Sequence, residues 1–172
     1  MHALDAKKIS KLLTKLRRFA YGLCGSVVVS EDLVQEAFTR FLAAKGDQTQ
    51  YMDQWLFRTV RNLHIDLHRK RDVHERHHEQ AKVFSGDGVD RENHVENLIM
   101  LDHVRDLIAQ LSDEQREVLL LVGVEGYSYR EAAEMLNLPI GTITSRLARA
   151  RGKLLKTFSG DAAQVRINKG GG

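Results

Sequence analysis

The stretch SYREAAEMLNLPIGTITSRLARAR, Ser128 to Arg151, decides the fold. Ser128 followed three residues later by Glu131 is a capping-box pattern, in which each side chain accepts a backbone N–H at the start of a helix. The short helix it opens turns Ala132, Ala133 and Leu136 inward. Asn137 falls at the end of that helix, where a positive φ is often needed and Asn tolerates it better than most residues. Leu138-Pro139 turns the chain, and a last helix is predicted to begin near Gly141 or Thr142. Its inward stripe is Ile143, Leu147, Ala150 and Leu154, spaced by four, three and four. Its outward face carries Thr142, Thr144, Ser145, Arg146, Arg149 and Lys153. A short capped helix, a tight turn and a basic second helix make a helix-turn-helix.

Such a second helix suits a nucleic-acid groove. Short polar side chains at its N-terminal end allow close approach, and arginines reach guanine edges or phosphates. The helix dipole at that end also favours a nearby phosphate. The same pattern fits an ordinary helical hairpin with a basic surface, so the rest of the chain has to decide.

Upstream, Ser112 with Gln115 forms a second capping-box pattern before the apolar run Val118–Val122. Leu98, Leu101, Val104, Leu107 and Ile108 start this helical half. The polar, glycine-bearing segment 85–93 reads as a linker. In the first half, Leu12, Leu16, Phe19 and Leu23 form one helix stripe. Ser30 is expected to cap the next helix, with Glu31 and Asp32 in its first turn, burying Leu33, Ala37, Phe41 and Phe38 and stopping near Gly46. After a polar stretch, 46–53, a third helix is marked by Trp55, Val60, Leu63 and Leu67 and runs into a His/Arg-rich segment at 68–78. Trp55 reads as a core anchor rather than a stacking platform. No strand alternation and no internal repeat is evident. The expectation is an all-α chain of two small helical domains, 8–78 and 97–158, with an acidic linker at 79–96 and a flexible tail at 159–172.

Composition narrows the function. The 172 residues hold 26 Lys+Arg, 23 Asp+Glu, one Pro and one Cys. No apolar run approaches the roughly 20 residues needed to cross a bilayer, and no signal-peptide core is present. Cys24 alone makes neither an internal disulfide nor a multi-cysteine zinc site, which suits a reducing cytoplasm. The net charge of +3 is sorted along the chain. Lys7, Lys8, Lys11, Lys15, Arg17 and Arg18 face only Asp5 within 1–23. Arg58, Arg61, Arg69, Lys70, Arg71 and Arg76 dominate 54–78, whereas 79–114 reverses the sign with nine acids against three bases. Arg146, Arg149, Arg151, Lys153 and Lys156 then stand in 141–158 without an acid. Basic blocks on separate domains suggest two contacts with a polyanion. His64 and His68, one helical turn apart, with His74, His77 and His78, offer a rival metal site. No carboxylate pair, nucleophile arrangement or HExxH pattern accompanies them, so neither catalysis nor a cofactor is expected. Their other reading is a modest pH sensitivity of binding.

These residues resemble a known family. Ser-Glu-Asp-Leu-Val-Gln-Glu-Ala-Phe (30–38), Trp55-Leu56, Arg61-Asn62 and Ile65-Asp66 resemble region 2 of bacterial group IV, or extracytoplasmic-function (ECF), sigma factors. The stretches 111–121, 125–133 and 141–151 are similar to their region 4. The likeness covers about residues 8–158, in the family's order, with the acidic connector between.

The resemblance implies a promoter-specificity subunit of RNA polymerase, without catalysis of its own or a small-molecule substrate. Asp32, Leu33, Gln35, Glu36 and Phe38 match the segment that docks on the clamp coiled coil of the polymerase β′ subunit, although Asp32 also suits a first-turn helix acid. Gln48, Thr49, Gln50 and Tyr51 match the loop receiving a flipped base of the promoter −10 element, and Asn62 a reader of the same strand. Arg58, Arg61, Arg69 and Arg71 would hold its backbone. Region 4 would meet the −35 duplex through Ser128, Tyr129, Arg130, Thr142, Thr144, Ser145, Arg146 and Arg149, and the polymerase β flap through another face. Thr144 stands where the family often has a basic or longer polar residue, and Ser112 replaces a frequent proline. The implied partners are core polymerase, promoter DNA and an anti-sigma factor. A stand-alone helix-turn-helix regulator is the alternative.

Overall fold

The computed structural model describes residues 6–44, 51–75 and 106–168, with side chains to 70 in the second stretch and to 158 in the third. Every regular element among them is helical. The first half comprises α1 (Ala6–Cys24), α2 (Val27–Ala43) and α3 (Met52–Glu75). The second begins with a helical turn at 106–109. It continues with α4 (Asp113–Val118), which runs without a break into a π-helical segment (Leu119–Val124), then α5 (Tyr129–Leu136) and α6 (Ile140–Asn168).

The stripe of α1 is buried as its spacing requires: Leu12, Leu16, Phe19 and Leu23 all lie inside, packed against α2 and α3. Gly25 ends the helix at φ +68°, a conformation open to glycine at no steric cost, and its N–H reaches the Tyr21 carbonyl at 2.7 Å. Helix α2 starts earlier than expected. Ser26, not Ser30, is its cap, accepting the Val29 N–H at 3.4 Å. Ser30 lies inside the helix, buried, and donates its hydroxyl to the Val27 carbonyl at 2.8 Å. The turn at Gly25 leaves Ser26 extended, which a cap requires, so the β-branched run Val27–Val29 becomes the first turn. Glu31 and Asp32 therefore sit one turn in. The helix ends at Ala43; Gly46 lies outside the described residues.

Helix α3 is buried on more than one side. Val60 is inside, as are Leu56 and Phe57, which the expected stripe did not include. Phe57 meets Phe19 of α1 edge-on at 5.1 Å and Tyr127 of the second half at 5.3 Å. Trp55, expected as a core anchor, is half-buried at the edge of the core and packs edge-on against the half-buried Phe41 at 5.5 Å, while Leu67 is exposed.

One core runs through both halves. It links Leu16, Phe19 and Phe57 to Leu120, Leu121, Leu136 and Ile143 without interruption. At the seam α1 comes close to the π segment: a Cβ on Gly22 would lie 2.6 and 2.7 Å from the two methyls of Leu120. The π segment is visible in its ladder, where the Glu125 N–H donates to Leu120 at 2.9 Å. The tail expected from 159 is helical as far as Asn168, in keeping with the helix-favouring Ala162, Ala163, Gln164 and Arg166.

Candidate nucleic-acid interface

Both capping boxes form. Ser128 accepts the Glu131 N–H at 3.2 Å while Glu131 accepts the Ser128 N–H at 2.7 Å. The Ser128 hydroxyl, which donates to the Glu131 carboxylate at 2.7 Å, and after it the Ser128 N–H hold the Glu131 carboxyl below its ordinary range. Ser112 and Gln115 repeat the arrangement at α4. Asn137 takes φ 54° and ψ 51°, the left-handed position anticipated for it, and the Leu138 N–H closes the turn on Ala133 at 3.0 Å. Helix α6 begins at Ile140, with the Pro139 carbonyl accepting from Thr142 at 2.9 Å. Ile143, Leu147 and Ala150 are buried and Leu154 is half-buried. The opposite face exposes Thr144, Ser145, Arg149, Arg151 and Lys153, with Thr142 half-buried at its edge. Tyr129 and Arg130 are exposed on α5, Arg130 near Glu134 at 3.5 Å.

Arg146 does not join that face. Its side chain is 15% exposed and reaches Glu114 at 3.1 Å and Glu117 at 3.2 Å on α4. It clamps α6 to α4, a geometry that helical periodicity alone does not reveal.

In the first half, Asn62, Asp66 and Arg69 are exposed on one side of α3 and Tyr51 is exposed just before it. Arg58 and Arg61 turn away from solvent into the seam. The Arg58 guanidinium donates to the carbonyls of Glu134 at 2.6 Å and Met135 at 3.2 Å, at the C-terminal end of α5. Arg61 grips the Glu117 carboxylate with both Nε and Nη2. Burial pushes the Glu117 carboxyl upward, and the two arginines oppose that push. Gln48, Thr49 and Gln50 lie outside the described residues, as do the side chain of Arg71 and the linker 79–96. On α2, Asp32, Gln35 and Glu36 are exposed; Leu33 is buried in the core and Phe38 is half-buried. Glu36 pairs with Arg40 at 2.7 Å.

Further seam contacts were not anticipated. Arg18 of α1 donates through Nε and Nη2 to Glu125, at 3.0 and 2.7 Å. The Lys15 ammonium donates to the Glu125 carbonyl at 3.1 Å and lies 4.2 Å from the Tyr127 ring centre. Burial first, then nearby carboxylates, raises the Tyr127 hydroxyl above its ordinary range. Arg116 of α4 is buried and donates to Ala109 (2.9 Å), Leu111 (3.0 Å), Ile108 (3.2 Å) and, across the seam, Leu23 (2.9 Å). A charged residue in an amphipathic helix reads as solvated, and only the tertiary fold marks Arg116 as internal.

His64 is buried and its ring lies 4.6 Å from that of His68. Among the described residues no group of three or more His, Cys, Asp or Glu side chains is placed to hold a metal ion, and no helix is long and apolar enough to cross a membrane.

Residues 9–73 match sigma-70 region 2 and residues 101–154 match sigma-70, region 4. Those two regions in that order define the class, a sigma-70-type factor of two helical domains. The ECF RNA polymerase sigma factor EcfG of Rhodopseudomonas palustris is 36% identical over 154 residues, spanning 87% of this chain and 82% of that protein. SigW of Bacillus subtilis is 32% identical over 153 residues, 83% of this chain and 82% of its own. A solved structure, the sigma factor RpoE in complex with the anti-sigma factor NepR from Bartonella quintana, superposes with a TM-score of 0.74 at 28% identity. That superposition covers 89% of this chain and 95% of that one. The chain belongs to the ECF RNA polymerase sigma factor family.

Proposed function

We propose that this protein binds core RNA polymerase in the cytoplasm and directs it to promoters whose −35 element is read as duplex and whose −10 element is read as an opened strand. The observation that carries this reading is the division of α6. Its apolar stripe is buried against α4 and α5, while Thr144, Ser145, Arg149, Arg151 and Lys153 are exposed at its surface. Thr142, Thr144, Ser145 and Arg149, with Tyr129 and Arg130 at the start of α5, are assigned to the −35 duplex. Arg146 is assigned to positioning α6 through Glu114 and Glu117.

Tyr51 and Asn62 are assigned to the −10 bases, and Arg58, Arg61 and Arg69 to the strand's phosphates. A tyrosine ring replaces the stacking a flipped base loses, and an amide pairs with a base edge. Asp32, Gln35 and Glu36 form the polymerase-facing surface, held in place by buried Leu33. Nucleotide addition belongs to the polymerase, so no chemistry is assigned to this chain. The compact arrangement of the two halves suits capture by an anti-sigma factor, the kind of partner that RpoE has in the superposed structure.

The test is in vitro transcription with core enzyme on a randomised promoter library. Asn62→Ala is expected to change the −10 preference and Arg149→Ala the −35 preference. Unchanged start-site choice in both variants overturns these assignments. Tight, sequence-specific duplex binding without polymerase would favour a stand-alone regulator instead.

A further inference from the structure

The exposed side of α6 is less polar than its composition suggests. The Thr144 hydroxyl donates to the Ile140 carbonyl at 3.0 Å and the Ser145 hydroxyl to the Thr142 carbonyl at 3.1 Å. With their protons turned onto their own helix, these hydroxyls can accept from a base but not donate to one. Ile140, the first residue of the helix, is 51% exposed although its side chain is wholly apolar. Ile140, Thr144 and Ala148 are all exposed and recur every four residues, so their methyl groups form one line along the helix.

The surroundings of that line point to a close partner of negative charge. Gly141 is exposed beside Ile140, and among the described residues a Cβ on it would meet nothing within 4 Å. Glycine disfavours helix, so its place here is explained by the backbone's need to approach something outside the chain. Arg130 of α5 shares an open groove with Ile140, and Arg149 and Arg151 are exposed further along α6. Residues 141–158 hold no acid. Such a face suits the major groove of DNA, where arginines hold phosphates and the one apolar group on any base edge is the C5-methyl of thymine.

We propose that Ile140 and Thr144 read thymine methyl groups in the −35 duplex, so that this end of α6 selects T·A pairs by apolar contact. This rests on the assignment of α6 to the −35 element made above, and it adds Ile140 to the residues named there. The two residues are about 6 Å apart along the helix axis, close to two base-pair steps of roughly 3.4 Å each. The thymines they meet, on either strand, therefore fall within about two steps of one another.

The test uses holoenzyme assembled from core polymerase and the full chain, on the promoter selected from the randomised library. Each −35 thymine, on either strand in turn, is replaced by deoxyuridine, which lacks the methyl group and keeps every hydrogen-bonding group. Competition binding reads the promoter affinity. Two thymines should respond in the native chain, each replacement weakening binding about 3- to 5-fold, as expected for one methyl returned to water. Ile140→Ala should silence the response at one of them, and Thr144→Ser, which removes a methyl and keeps the hydroxyl, at the other. Both side chains are exposed, so neither variant disturbs the core. A selected −35 element that lacks thymine, or tolerates deoxyuridine at every one, overturns the methyl reading while the assignment of α6 to the duplex stands. Responses that survive in both variants place the contact on other residues and overturn it as well. If the library yields no −35 preference at all, the assignment of α6 has itself failed and the proposal falls with it.

Discussion

Replacing Arg116 by methionine should unfold the second domain ahead of the first. The guanidinium is buried and donates to the carbonyls of Ala109, Leu111, Ile108 and Leu23, with the Asp113 carboxylate 3.3 Å away. Methionine keeps much of the volume and removes every donor. Ile108 still accepts the Leu111 N–H at 3.1 Å, so within the second domain the loss falls on Ala109 and Leu111. Each carbonyl deprived of its donor in a buried site costs about 1–3 kcal/mol. Against that, the variant no longer desolvates a cation, a cost evident in the lowering of the Arg116 pKa by burial.

The balance is about 3 kcal/mol against the second domain, which for a domain this small corresponds to roughly 10–20 °C in Tm. The single tryptophan, Trp55, lies in the first domain, so its fluorescence follows that domain while far-ultraviolet circular dichroism follows both. Thermal unfolding of Arg116→Met should separate into two steps, dichroism falling first and fluorescence later. Coincident transitions displaced by less than about 1 kcal/mol would refute the reasoning, because the carbonyls would then be served equally well without the arginine. Full rescue by Arg116→Lys would refute it too, since a single ammonium lacks the planar fork that spans these acceptors.

Two further outcomes are expected. Asn137→Val should cost about 1–2 kcal/mol in chemical denaturation, whereas Asn137→Gly should be close to neutral, because the left-handed backbone there penalises a β-branched side chain. Ser128→Ala should cost about 1 kcal/mol at neutral pH through loss of the cap. The hydrogen bonds from Ser128 depress the Glu131 pKa below its ordinary 4.5, so Glu131 contributes stability above that pH and loses it as the pH falls through the depressed value. A denaturation series in acid should therefore show the gap between native chain and Ser128→Ala narrowing; a constant gap would argue that the carboxylate is not part of the cap.

Local signals carried most of the fold. The capping boxes at Ser112 and Ser128, the left-handed Asn137 and the stripe of α6 all depend on neighbours a few residues away, and periodicity reads such features directly. Ser30 misled because two serines four residues apart both suit a cap, and the choice was made by the positive φ at Gly25. Leu56 and Phe57 fell outside the stripe of α3 because that helix is covered by the second domain as well as the first. The candidate site divides in the same way. Asn62, Arg69, Thr144, Ser145 and Arg149 are exposed, as a binding surface requires, whereas Arg58, Arg61 and Arg146 have long side chains that found carboxylates or carbonyls distant in sequence. Charge counting registers that an arginine is present and not which oxygen it will choose.

The π segment at Leu119–Val124 has a consequence for how the molecule is assembled. Each residue of an α-helix advances about 100° around its axis, so a turn that closes on the fifth residue instead of the fourth works as a spacer inserted in the thread of a screw. Everything downstream is re-indexed by that one residue: Glu125 comes round to Arg18, Tyr127 to Phe57, and α5 starts from the bearing at which its far end reaches Arg58. Deleting Gly123 would take out the spacer while leaving every side chain of the interface present. The pieces would survive, and the clock by which they meet would be wrong.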